Sequence, residues 1–130
     1  MISWNFNKEN GILEVTYSGH ISIEEFINYG NTLKKDNSLP RVLKILTNAQ
    51  NANYDIKKTE EKNQLIMKES LKQQLKAYTF VKNAVIHKKP VETAISYTFK
   101  EIFSFENYSQ KTFYTQEAAL RWLNHPLQKF

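Results

Sequence analysis

The chain is poor in several residue types that define common functional sites. It has no cysteine, three glycines and three prolines among 130 residues. The lack of cysteine excludes disulfide scaffolds, thiol catalysis and cysteine-ligated zinc or iron–sulfur sites. Three glycines cannot build a glycine-rich phosphate loop. No stretch approaches the ~20 apolar residues that span a bilayer, and the first ten residues lack the regions of a signal peptide, so we expect a cytoplasmic protein.

The overall composition is that of a folded globular protein with an excess of cations and aromatic residues. Hydrophobic residues make up 41% of the sequence, charged residues 24% and aromatic residues 13%, and the length suits one domain over residues 1–130. The formal net charge is +5, from 18 basic and 13 acidic residues. Because this excess is modest, we do not expect nucleic acid to be a partner.

Hydrophobic periodicity and capping signals predict nine elements in the order β-β-α-β-α-β-α-β-α. Residues 2–6 and 12–17 alternate apolar and polar side chains around a turn with Gly11, which predicts a hairpin. The later elements are a helix from Ser22, a strand over 41–47, a helix over 56–77, a strand over 80–87, a helix from Pro90, a strand over 111–114 and a helix capped by Thr115. Strands joined by helices favour an α/β fold with a mixed, mostly parallel sheet.

Three segments of this pattern resemble the SpoIIAA-like group of STAS-type domains. They are the strand, glycine turn and capped helix over 15–25, the Ala-Val-Ile run at 84–86 with the segment 90–94, and the aromatic strand and capped Ala-Ala-x-x-Trp-Leu helix over 113–123. The resemblance covers nearly the whole chain. It implies a single α/β domain with a four- or five-stranded mixed sheet and surrounding helices.

The resemblance also implies a regulatory or protein-interaction role without catalysis. Classical members act as antagonists of anti-sigma factors and are switched by phosphorylation of a serine in an Asp-Ser-Ser-Gly-type turn after the third strand. The corresponding residues here, 47–55, contain no serine. The phosphorylation switch is therefore not implied for this chain.

No local pattern predicts a catalytic, metal or cofactor site. The three histidines, His20, His87 and His125, do not have the spacing of metal ligands. The adjacent glutamates at 24–25 and 60–61 fall in the first turns of predicted helices, where negative charge stabilises the helix dipole. We therefore expect a protein that is not an enzyme and that uses no cofactor.

Two polar or exposed segments are candidate interaction surfaces. The segment over 48–55 is predicted as a loop at the carboxyl end of a central strand, where open α/β sheets bind ligands; a merely solvated loop is the alternative. Its hydrogen-bonding candidates are Asn48, Asn51, Asn53 and Asp55. Leu65 and Ile66 lie off the apolar stripe of the long helix, and their exposure would indicate a protein contact.

Aromatic residues are dense between residues 97 and 113, and Phe99 and Phe103 lie beside the apolar stripe of their helix. Three interpretations stay open for them: core packing, a dimer or partner interface, and the wall of an apolar pocket. The first predicted function is accordingly a regulatory module that binds a partner protein or a second copy of itself. The alternative is a carrier or sensor of a small apolar, lipid-like ligand.

Overall fold

The structure, a computed structural model, describes residues 1–54 and 60–125 of the chain. Within these ranges it contains a five-stranded sheet and four helices, in the predicted order. The strands are β1 (Ile2–Asn7), β2 (Ile12–Ile21), β3 (Val42–Tyr54), β4 (Phe80–Ile86) and β5 (Tyr108–Phe113). The helices are α1 (Ile23–Lys35), α2 (Glu61–Leu75), α3 (Pro90–Ile102) and α4 (Gln116–Leu123).

The sheet is mixed, with strand order β1-β2-β3-β4-β5. β1 and β2 form the predicted antiparallel hairpin, and Gly11 adopts a φ of +70° in its turn, a conformation that glycine tolerates best. The other neighbouring strands pair in parallel. The predicted α/β class and the mostly parallel sheet are therefore confirmed.

The period-2 alternation of the strands gives the sheet two different faces. Helices α1, α2 and α3 cover one face and share a large apolar cluster with it, which includes Val15, Ile45 and Val85. Helix α4 packs on the other face, where Ala119 and Leu123 meet a smaller cluster from β2, β3 and β4. Three helices thus cover one face of the sheet and one helix covers the other, and the candidate site lies on the face with three helices.

Short-range capping signals position three of the helices. The side-chain oxygen of Ser22 accepts a hydrogen bond from the backbone N–H of Glu25 at 3.1 Å, at the start of α1. Thr115 caps α4 in the same way, with 3.2 Å to the N–H of Ala118. Pro90 is the first residue of α3. The backbone N–H at this position makes no hydrogen bond within a helix, so proline removes none there.

The prediction of a loop after residue 47 is wrong. β3 continues to Tyr54, and Asn51 and Asn53 pair with residues of β2. The physical reason is that β2 is ten residues long and offers a neighbouring strand along its whole length. Backbone pairing with that strand outweighs the low strand propensity of asparagine. Asp55 and the first residues of the predicted helix over 56–77 lie outside the described residues.

Helices α1 and α2 approach each other closely at Gly30. A β-carbon added at this glycine would lie 1.6 Å from the side-chain nitrogen of Gln74 on α2. Nearby, the hydroxyl of Tyr78 donates a hydrogen bond of 2.7 Å to the carbonyl of Leu33, at the end of α1. These contacts hold α1 and α2 side by side above the sheet.

Candidate ligand cavity

A cavity lies between the sheet and helices α1, α2 and α3. About 80 Å³ of its space is open to the centre of a water-sized sphere. Aliphatic and aromatic side chains from all three helices and from β2 to β5 form most of its wall. Five tyrosines belong to this wall: Tyr17, Tyr29, Tyr54, Tyr78 and Tyr108. This lining, mostly apolar with a few polar groups, is that of a small-molecule site.

Uncharged polar side chains cross the sheet at the base of the cavity. Thr47, Asn83 and Gln110 come from the adjacent strands β3, β4 and β5, at positions where the alternation directs side chains toward the cavity. Together with Tyr108 they form the group that we call the polar floor. Each is surrounded by apolar neighbours on the same face, so that the floor is a polar strip within an apolar wall.

The polar floor is joined by a one-way chain of hydrogen bonds. The Thr47 hydroxyl donates to Asn83 Oδ1 at 2.9 Å, and Asn83 Nδ2 donates to the Tyr108 hydroxyl at 3.1 Å. That hydroxyl in turn donates to Gln110 Oε1 at 2.6 Å. Because Thr47, Asn83 and Tyr108 all donate within this chain, the floor is ordered without a ligand.

The tyrosine hydroxyls of the cavity are neutral hydrogen-bonding groups. Burial raises the pKa values of Tyr17, Tyr29, Tyr54 and Tyr108 above the ordinary phenol value of 10. The cause is desolvation, which penalises the charged phenolate. These hydroxyls therefore stay protonated at neutral pH, and the cavity disfavours negative charge.

Phe99 and Phe103 form part of the wall on the side of α3. Their rings lie 5.4 Å apart and nearly parallel, with 9° between their planes. Only 8% of Phe99 and 5% of Phe103 is exposed. The structure thus brings both residues to the cavity and not to the outer surface, which favours the pocket-wall and core interpretations over the interface.

His87 lies behind the wall, just after β4. Its Nε2 is 3.1 Å from the Tyr54 hydroxyl, and only 1% of the residue is exposed. Burial lowers the pKa of His87 from 6.5 to about 4, so the imidazole is neutral at pH 7. Among the described residues its Nδ1 has no hydrogen-bond partner.

The other predicted interaction residues do not lie at the cavity. Asn48 accepts a hydrogen bond from the N–H of Gln50, and Asn53 accepts one from Lys89 Nζ at 2.7 Å. Asn51 is exposed. Leu65 is 61% exposed on α2, and Ile66 beside it is also exposed. These residues form no single surface with the cavity.

Sequence reasoning missed the polar floor. A signal was nevertheless present. The two-residue spacing of the strands places Thr47 and Asn83 on the same face as buried apolar residues, although both side chains are polar. Within residues 1–54 and 60–125, no three histidine, aspartate or glutamate side chains come together as metal ligands would. None of the helices in these ranges has the length and apolar character needed to cross a bilayer.

Comparison with solved structures identifies the fold. An uncharacterised protein of the DUF3478 family from Shewanella loihica, described as having a SpoIIAA-like fold, superposes with a TM-score of 0.58 at 13% identity, over 95% of this chain and 92% of the other. Phosphorylated SpoIIAA, a cell fate determinant of Bacillus, superposes with a TM-score of 0.52 at 9% identity, over 95% of this chain and 100% of the other. No family model and no curated protein matches the sequence. The SpoIIAA-like fold expected from the sequence is confirmed.

Proposed function

We propose that this chain, as a single SpoIIAA-like domain in the cytoplasm, is a non-enzymatic binding module that holds one small, largely apolar molecule between its sheet and helices α1, α2 and α3. The cavity of about 80 Å³, with its mostly apolar wall, is the observation that supports this proposal. Protein interiors are normally packed as densely as organic crystals, and unfilled space lowers stability. A ligand that fills the cavity would recover the lost contacts.

The chemistry of the wall favours binding over catalysis. General acid–base catalysis needs a group whose pKa lies near the working pH. The described residues that line the cavity include no aspartate, glutamate, lysine, arginine or histidine. The pKa values of the buried tyrosines are raised away from neutrality. Ser96, a potential nucleophile, shares a 2.9 Å hydrogen bond with the Thr112 hydroxyl, with no base in the described wall to activate it.

Filling the cavity tests the proposal directly. Val85→Phe adds an aromatic ring to the wall at a buried position. We expect the unmodified protein to bind the neutral fluorescent probe N-phenyl-1-naphthylamine with one site per chain. We expect V85F to weaken this binding at least about tenfold, because the new ring occupies the space of the probe. The measurement is a fluorescence titration.

Val91→Phe is the matched control, since Val91 is 64% exposed on α3 and the same substitution there adds no volume to the cavity. It should leave the titration unchanged. If thermal unfolding shows that V85F is not folded, Val81→Phe, on the same strand and in the same wall, replaces it. Absence of probe binding, or equal binding by the cavity variant and V91F, would count against the proposal.

A second candidate function is regulatory contact with a protein. The observation that favours it is the exposed apolar pair Leu65 and Ile66 on α2, on a fold shared with a cell fate determinant. In that function a macromolecular partner or a second copy of the chain, and not a small molecule, would accompany the isolated protein. The cavity would then be a packing defect that no ligand fills.

A further inference from the structure

The cavity wall offers more hydrogen-bond donors than the protein itself uses. Gln110 Oε1 accepts the last bond of the polar floor, and its amide N–H groups have no acceptor among the described residues. The hydroxyls of Tyr17 and Tyr29 also line the cavity without a hydrogen-bond partner in the described part of the chain. By contrast, the Tyr78 hydroxyl already donates a hydrogen bond to the Leu33 carbonyl.

Free donors in an apolar enclosure call for an acceptor on the ligand. A buried donor left without a partner costs about 1–3 kcal/mol, and a ligand oxygen that accepts its hydrogen bond removes that cost. A purely hydrocarbon ligand would leave the amide of Gln110 and the hydroxyls of Tyr17 and Tyr29 unsatisfied. The wall therefore discriminates between a hydrocarbon and a molecule of the same shape that carries an oxygen.

The same wall discriminates against charge. Its described residues supply no cation to pair with a carboxylate or phosphate, and no anion to pair with an amine. A buried charge without a partner costs several kcal/mol. Desolvation raises the pKa of Tyr17, and the carboxylate of Glu25 adds to the effect, so that a second negative charge is disfavoured at this end of the cavity.

We infer that the ligand is an uncharged molecule with an aromatic or hydrocarbon body and a carbonyl-type oxygen, which accepts a hydrogen bond from the unpaired amide of Gln110, while Tyr17 and Tyr29 offer donors to its other polar groups. This rests on the proposed function, since it names the class of molecule that the cavity holds. It excludes free fatty acids, phosphate esters and amines that are protonated at neutral pH. The Phe99–Phe103 stack and the apolar wall hold the body, while the donors hold the polar groups.

Three ligands of nearly equal shape test whether the cavity prefers a neutral carbonyl to a hydrocarbon or a carboxylate. Their affinities are measured in displacement titrations against N-phenyl-1-naphthylamine. 2-Acetylnaphthalene carries a neutral carbonyl, 2-isopropylnaphthalene replaces it by hydrocarbon, and 2-naphthoate carries a charge. We expect the acetyl compound to bind about fivefold more tightly than the isopropyl compound, the effect of one net hydrogen bond. We expect 2-naphthoate to bind at least about 100-fold more weakly than the acetyl compound.

The donors are tested by their removal. Gln110→Leu should bring the ratio of acetyl to isopropyl affinity close to one. Gln116→Leu is the matched control, because Gln116 is exposed at the start of α4 and should keep the fivefold ratio. The double variant Tyr17→Phe/Tyr29→Phe removes the other donors and serves if Q110L does not fold.

The outcomes distinguish the inference from the proposed function. If the unmodified protein binds neither the probe nor any naphthalene, the binding function itself is wrong. If the probe binds but 2-naphthoate or the isopropyl compound equals the acetyl compound, the cavity binds ligands and the inference about their chemistry is wrong. Retention of the acetyl preference in both the Gln110 variant and the double tyrosine variant also overturns it.

Discussion

Replacement of Leu123 by alanine is expected to lower the free energy of unfolding by about 3 kcal/mol, the middle of the usual range for a buried leucine. In the described part of the chain, α4 is the helix that covers the second face of the sheet, and Leu123 is fully buried there. It packs in one cluster with Ile12, Leu46 and Ile86. The shortened side chain leaves a cavity that this small cluster cannot close. Urea unfolding at pH 7 measures the loss.

The control is the same substitution at Leu65. This leucine is 61% exposed on α2, and L65A should change the free energy of unfolding by no more than about 0.5 kcal/mol. A loss in L123A that is no larger than the loss in L65A would contradict the packing of α4 on the sheet. L123A should also leave probe binding intact, because Leu123 lies on the face opposite the cavity.

Acidification from pH 7 to pH 5 is expected to lower the free energy of unfolding by about 2 kcal/mol through His87 alone. Burial depresses the pKa of His87 to about 4 in the folded state, against 6.5 in the unfolded chain. Between these values the unfolded state binds the proton and the folded state does not. Stability therefore falls as the pH drops through 6.5, and the contribution of this group levels off below about pH 4.

Replacement of His87 alone isolates this effect. His87→Gln removes the titrating group, and the difference in stability between pH 7 and pH 5 should shrink by about 2 kcal/mol, whatever the variant's stability at pH 7. His125→Gln, at an exposed position, should keep the pH dependence of the unmodified protein. Equal pH dependence in H87Q and H125Q would mean that His87 is not buried as a neutral imidazole beside Tyr54.

The elements that could be predicted from the sequence are those governed by local signals. The hairpin turn at Gly11 and the caps at Ser22 and Thr115 depend on residues within four positions of each other. The order of strands and helices follows from hydrophobic periodicity in the same way. With these fixed, the rule that parallel strands need helical crossovers leads to the α/β fold.

The end of β3 was not predictable because its structure depends on a distant partner. An asparagine-rich segment reads as a loop by propensity, yet Asn51 and Asn53 gain backbone hydrogen bonds from β2, some thirty residues earlier in the chain. Such pairing leaves no trace in the local sequence. The candidate interaction residues placed on the supposed loop were therefore separated from the cavity that the structure reveals.

The cavity itself combines a predictable part and an unpredictable part. The position of Phe99 and Phe103 beside an apolar helical stripe allowed a pocket wall as one interpretation, and the structure places them there. The polar floor joins Thr47, Asn83 and Gln110, which are 36 and 27 residues apart in sequence. Their alignment arises from strand register, which hydrophobic periodicity does not specify across a parallel sheet.

The most direct measurement is native mass spectrometry of the protein isolated from its own host without denaturation. An occupied cavity predicts a protomer that carries the additional mass of one small molecule. That mass should be lost on denaturation and should be absent from V85F. A protomer with no added small molecule, or a complex whose extra mass is a protein, would contradict the binding function and favour the regulatory contact instead.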